Sequence, residues 1–180
     1  MAVRKILLYA EDEKALRQKS QLVDGINWDV KRTIRNLKDT LNAHPDGVGL
    51  AAPQINIHKR VVLVRLGPSS NGSVEPAPPI ALVNPTIFEA GDDRKDFDGC
   101  LSFPGLYGDT FRPHHIRVTA LDEGGQPFDQ VFDGFDAVVL HHEIDHLDGV
   151  LFIDRIENPE DLYTVRKNER GELVRVPVTI

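Results

Sequence analysis

Across residues 29–44 (DVKRTIRNLKDTLNAH) the apolar positions Val30, Ile34, Leu37 and Leu41 recur at four, three and four, the stripe of an amphipathic helix. Asp29 is placed to open this helix, and Pro45, which lacks a backbone N–H, to close it. A shorter helix is predicted around residues 12–18. After Gln54 the period changes. Residues 60–66 (RVVLVRL), 80–88 (IALVNPTIF), 116–121 (IRVTAL) and 127–132 (PFDQVF) are short β-branched runs bounded by Gly, Pro and Asp, which predict strands. Residues 67–79 (GPSSNGSVEPAPP) read as a mobile surface loop, not a domain linker, because the runs on both sides look like one sheet. A further helix is predicted over residues 133–147, opened by Asp133 or Asp136 and stopped by Gly149. The tail ELVRVPVTI alternates like a final strand. The predicted class is α+β: mostly antiparallel strands packed around a C-terminal helix carrying His-Glu-x-x-His, with a long N-terminal amphipathic helix, in a single domain over residues 1–180.

Composition narrows the picture. An apolar content of 41% in 180 residues is enough to bury a core. The net charge of -7 argues against stable nucleic-acid binding, which needs Lys and Arg to displace counterions from phosphates. No apolar stretch is long enough to span a membrane, and the N-terminal run meets Glu11-Asp12-Glu13 too early for a signal peptide. Cys100 is the only cysteine, so no intrachain disulfide can form. The expectation is a soluble, cytoplasmic protein.

The chemistry concentrates in VVLHHEIDHLDG, residues 138–149. On a helix, His142 and His146 stand about 40° apart in projection and roughly 6 Å apart along the axis, so both imidazoles can reach one ion. Glu143, about 100° round from His142, can meet a water on that ion without being a ligand. Phe135, Val138 and Val139 share the histidine face, which points the rings inward. His141 is one step off this face and reads as structural or exposed; Asp145 and Asp148 read as facing solvent or capping nearby backbone. Two histidines leave a catalytic metal one protein ligand short. No histidine follows His146, and Glu169 and Glu172 flank Gly171 in a polar segment without helical period. Cys100, in the turn-like Asp98-Gly99-Cys100-Leu101-Ser102, offers a strong thiolate ligand, although read alone it fits a small buried hydrophobe better.

Three segments in order, Gly47-Val48-Gly49-Leu50-Ala51-Ala52-Pro53-Gln54, Gly99-Cys100-Leu101-Ser102 and His142-Glu143-Ile144-Asp145-His146, resemble the peptide deformylase family. The resemblance implies a metal-dependent hydrolase that removes the N-formyl group from the initiator methionine of new proteins and releases formate. It implies a metal held by Cys100, His142 and His146, ferrous iron in the cell with nickel, cobalt or zinc as substitutes. It also implies a metal-bound water as nucleophile, Glu143 as acid/base, and Gln54 with the backbone N–H of Leu101 as oxyanion donors. Formylated nascent peptides are the implied partner, with room for a transient ribosome contact. Gly47 and Gly49 would let the peptide backbone approach and add as a strand. A dinucleotide loop, the other reading of Gly-Val-Gly-Leu-Ala-Ala, fails because a helix precedes these glycines and Pro53 disrupts the helix such a loop has to open. By position Val48, Phe135 and Val138 would line the methionine pocket with the ring of His142; a plain core role fits them equally.

This chain departs from the family pattern at Asp98, where Glu is usual. The side chain is one methylene shorter, and a longer or water-bridged pairing with Arg112 is the expectation. At Tyr107 many family members carry a basic residue that helps hold the peptide, so the preference beyond methionine is expected to differ. The strand-like tail differs from members that end in a helix.

Overall fold

In the computed structural model, which describes residues 2–67 and 78–178, β3 (Ile80–Gly99) and β4 (Leu106–Leu121) form a long antiparallel hairpin paired from Val83↔Leu121 to Gly99↔Tyr107. Both strands extend well beyond the predicted runs 80–88 and 116–121. The added part of β3, EAGDDRKDFDG, carries almost no apolar signal; its strand character comes from backbone groups that satisfy each other across the pair. Register shifts between Val83/Thr86 and Ile87/Glu89 bend the ribbon. On the far edge of β4, β5 (Pro127–Asp133) takes the Ile116 end and β6 (Leu162–Lys167) the Leu106 end, with β7 (Leu173–Pro177) outside β6. On the other side β3 pairs with β2 (Val61–Val64), and β2 with β1 (Gly49–Ala51). Among the described residues this is one antiparallel sheet of seven strands with three α-helices. The loop predicted at residues 67–79 lies, apart from Gly67, Pro78 and Pro79, outside the described residues.

Helix α1 is Tyr9–Leu16, earlier than the predicted 12–18, and α2 is Trp28–Asn42. Asn27, not Asp29, opens α2: its side-chain oxygen accepts from Val30 N at 3.0 Å, while Asp29 sits inside the first turn and pairs with Arg32. Helix α3, Phe135–Leu147, starts after Gly134 at φ 61, so neither Asp133 nor Asp136 caps it. Asp133 instead meets His115 at 2.7 Å, and Asp136 accepts from Gly67 N at 2.8 Å. Beyond the helix, Gly149 adopts φ +75, and a Cβ there would stand 2.2 Å from the Arg17 carbonyl oxygen.

Strand β2 is buried on both faces. Val61 and Leu63 join Val30, Ile34, Leu37 and Leu41 of α2, whereas Val62 and Val64 join Ala137, Leu140, Ile144 and Leu147 of α3. The period-2 alternation therefore divides the core between two helices. Each large apolar side chain so buried contributes about 1.5–3 kcal/mol. Helix α3 is enclosed along most of its circumference, so its functional side chains start from a fixed scaffold. No helix among the described residues is long and apolar enough to cross a membrane.

Candidate active site

Two elements supply the centre. Helix α3 carries His142, Glu143 and His146, and the turn after β3 carries Cys100, closed by Phe103 N donating to Cys100 O at 2.9 Å. One ligand atom each from Cys100, His142 and His146 lies within 4.8 Å of the others, and Cys100 Sγ is 3.3 Å from His146 Nε2. A first-row metal with M–N near ~2.1 Å and M–S near ~2.3 Å places S and N about 3.5 Å apart in a tetrahedron. The spacing and the donor set, one thiol and two imidazoles, fit such an ion.

Asp98 orients this cluster. Its Oδ1 accepts from His142 Nδ1 at 2.7 Å, which turns Nε2 toward the ligand cluster, the arrangement expected of a metal-facing histidine. Its Oδ2 accepts from Arg112 Nε at 2.7 Å and from Thr110 Oγ1 at 3.0 Å. The expected longer or water-bridged pairing with Arg112 is therefore corrected: the strand register carries Asp98 close enough for direct contact. Burial alone would raise the Asp98 carboxyl, but His142 and Arg112 outweigh it and hold the pKa far below the usual range. Burial opposes the charge of His142 too, and Asp98 overcomes it, so that imidazole is raised well above 6.5 in the metal-free protein. His146, buried and without such a partner at Nδ1, is pushed well below 6.5 and stays neutral, the state a ligand requires.

The network continues outward through Asp145. Asp145 was expected to face solvent or cap backbone; it is buried, accepting from Arg112 Nη1 at 2.7 Å and from Arg155 Nε and Nη2 at 3.0 and 2.7 Å. A fully buried guanidinium needs two carboxylates, and the turn of α3 supplies the second. Asp148 does face outward, against Arg60 at 2.8 Å. Of the two readings of His141, the structural one holds: its Nδ1 lies 2.7 Å from Arg112 Nη1, and burial lowers its pKa to about 4, leaving it a neutral acceptor.

Glu143 is buried, with Oε2 lacking any partner, and burial raises its carboxyl pKa to about 7. Gly49 is the reason it fits, since a Cβ there would stand 2.3 Å from Glu143 Oε1. Gln54 is equally enclosed. Its Oε1 accepts from Ala51 N at 2.8 Å, which aims Nε2 at Ser102 Oγ (3.2 Å) and Cys100 Sγ (3.4 Å).

These side chains open onto a cavity of about 680 Å³. Val48, Gly49, Gln54, Cys100, Leu101 and Tyr107 line it, as do Phe135, Val138, His142 and Glu143; His146 is not part of its lining. Val48 and Phe135 are 43% and 48% exposed and form open walls, whereas Val138, at 2%, is floor. The plain core reading thus fails for the first two and fits the third. Thr110, Arg155 and Phe152, whose ring stacks 6.5 Å from His142, had no role in the sequence reading, and Ser102 entered it only as part of the cysteine motif. Thr110 and Arg112 are two apart on β4 and so share a face, but the polar stretch gave no strand to place them on.

Comparison with known proteins agrees with this geometry. A family model described as polypeptide deformylase matches residues 3–161. The peptide deformylase of Thermomicrobium roseum is 40% identical over 169 residues, covering 94% of each chain. That of Heliobacterium modesticaldum is 43% identical over 165 residues, covering 89% of this chain and all of its own length (100%). Among solved structures, a peptide deformylase from Synechococcus elongatus in complex with actinonin superimposes with a TM-score of 0.75 at 41% identity, covering 88% of this chain and 82% of that one. The chain belongs to the polypeptide deformylase family of enzymes.

Proposed function

We propose that this protein is a cytoplasmic enzyme, one catalytic unit over residues 1–180, that hydrolyses the formyl group from N-terminal formylmethionine of nascent chains. The observation that carries the reading is the cluster of Cys100, His142 and His146 behind a cavity that Cys100, His142 and Glu143 line beside an open strand edge, with Glu143 Oε2 partnerless among the described residues. Cys100, His142 and His146 would hold one divalent ion, ferrous iron in the cell, with zinc, nickel or cobalt as substitutes. When bound, the metal supplies Lewis acidity that activates water and polarises the formyl carbonyl.

The rest of the work falls to the chain. Glu143, with its pKa raised to about 7, accepts a proton from the attacking water and returns it to the leaving amine. The Gln54 amide cannot rotate freely because Ala51 N holds its oxygen, so the Nε2 hydrogen now directed at Cys100 Sγ would be the donor to the oxyanion of the tetrahedral intermediate. The Leu101 N–H, next to Cys100, would be the second donor. Val48 O accepts from Arg65 N at 2.7 Å, so the bonds of this segment to β2 use Val48 and Leu50, and the polar groups of Gly49 turn toward the open edge. An extended peptide would add there as a strand, its methionine side chain between Val48, Phe135 and Val138.

The test is anaerobic purification, metal analysis, and formate release from a formyl-methionyl peptide measured beside cleavage of the unformylated peptide. Formate release proportional to bound metal is expected. Cleavage of the unformylated peptide with no formate from the other would overturn the reading in favour of a peptidase.

A further inference from the structure

A cavity of about 680 Å³ is the size of a site for a ligand larger than one formyl-methionyl residue. Its second wall comes from the β3–β4 hairpin and not from α3: Phe97, Gly99 and Tyr107 line it. Register places these groups on one sheet face with two residues of the C-terminal hairpin. Gly99 is opposite Tyr107, Tyr107 is opposite Tyr163, and Phe97 and Asp109 are each two positions along from these. The rings form a row, with centroids 5.6 Å apart for Phe97 and Tyr107 and 6.4 Å apart for Tyr107 and Tyr163. Gly99 permits this close packing, since a Cβ there would stand 3.1 Å from Tyr107 Cδ1.

The far end of the row is locked. Tyr163 is 2% exposed, its hydroxyl donates to Asp109 Oδ1 at 3.0 Å, and the Arg175 guanidinium lies 4.2 Å over its ring while donating to Asp109 Oδ2 at 2.5 Å. The near end is open, with Phe97 44% exposed beside the cavity. A rigid buried base under an exposed aromatic edge is a platform for an apolar side chain. Strands β6 and β7 begin at Leu162, so the base of the row is supplied by the C-terminal hairpin.

We propose that Phe97 and Tyr107 form the subsite for the side chain that follows formylmethionine, that this subsite selects aromatic and large aliphatic residues, and that Tyr163 and Arg175 position Tyr107 for it. The proposal rests on the deformylase reading. It is tested by kcat/KM for formyl-Met-Phe-Ser divided by that for formyl-Met-Ser-Ser, a ratio independent of the fraction of active enzyme. The wild type is expected to give about tenfold, the scale of one aromatic contact. Tyr107→Phe should keep the ratio and Tyr107→Ser should bring it to about twofold or less. Tyr163→Leu and Arg175→Ala should lower it by raising KM for the Phe peptide, with the kcat of the two peptides moving together. A wild-type ratio near one, or a ratio unmoved by Tyr107→Ser, overturns the subsite; a ratio unmoved by both hairpin variants overturns their positioning role. Absence of formate from every formyl peptide would instead overturn the deformylase reading and the proposal with it.

Discussion

Replacing Asp98 by Asn changes one atom and removes one charge from the centre of the network. Asp98 accepts from three donors, His142 Nδ1, Arg112 Nε and Thr110 Oγ1, all within 3.0 Å. Asparagine has a single acceptor oxygen. If that oxygen faces Arg112 and Thr110, the amide NH2 meets His142 Nδ1 and drives the ring to the tautomer that carries hydrogen on Nε2, the atom needed for metal. If it faces His142, the NH2 meets the Nε–H of a guanidinium that is 1% exposed and left with Asp145 as its carboxylate partner. Breaking one side of a buried ion pair costs about 3–5 kcal/mol, and loss of the group orienting a histidine ligand weakens metal binding about 10–100-fold. Guanidinium unfolding of metal-free protein and chelator competition for Zn(II) read the two effects separately. The companion Asp98→Glu, which restores the residue usual in the family, should also destabilise, by about 1–3 kcal/mol, because an added methylene has no room where contacts are already 2.7 Å. An Asn variant within about 1 kcal/mol of wild type and with metal affinity unchanged would refute the reasoning.

Two further predictions concern the same cavity. Glu143 has its pKa raised by burial to about 7 from 4.5, so between these values the folded metal-free protein keeps a proton that the unfolded chain has released, and its stability falls as pH rises, by on the order of 3 kcal/mol in full. Glu143→Gln should therefore flatten that part of the stability curve and raise the melting temperature of metal-free protein at pH 8, while formate release is lost; a parallel pH dependence in wild type and variant would contradict the burial argument. Gly49→Ala places a methyl 2.3 Å from Glu143 Oε1, and the displaced carboxylate should lower kcat about a hundredfold with metal content retained, measured by single-turnover formate release beside metal analysis.

Much of the site was legible because its chemistry follows local spacing. His142, Glu143 and His146 could be read together since a helix turn converts intervals of one and four into directions. Cys100 could be tied to them only through the combined motifs, because no local rule relates a turn after one strand to a helix more than forty residues later. Asp98 shows the limit most clearly: side-chain length suggested a longer or water-bridged pairing, but reach depends on where the β3–β4 register sets the two backbones. Asp145 was misread for a related reason. Its helix position looks outward until Arg112 and Arg155 arrive from β4 and from the turn after α3.

The sequence by itself determined the amphipathic helix after residue 28, the apolar strands and the grouping of His142, Glu143 and His146 on one helix, because each is written in spacings short enough for the local backbone to enforce. Tertiary structure alone decided the polar half of the β3–β4 ribbon, the burial of Arg112 between two carboxylates, the clearance that Gly49 leaves for Glu143, and the aromatic row running from Phe97 to the C-terminal hairpin. Those features depend on backbone pairing and close approach between residues distant along the chain, and neither leaves a periodic trace in the residues that take part.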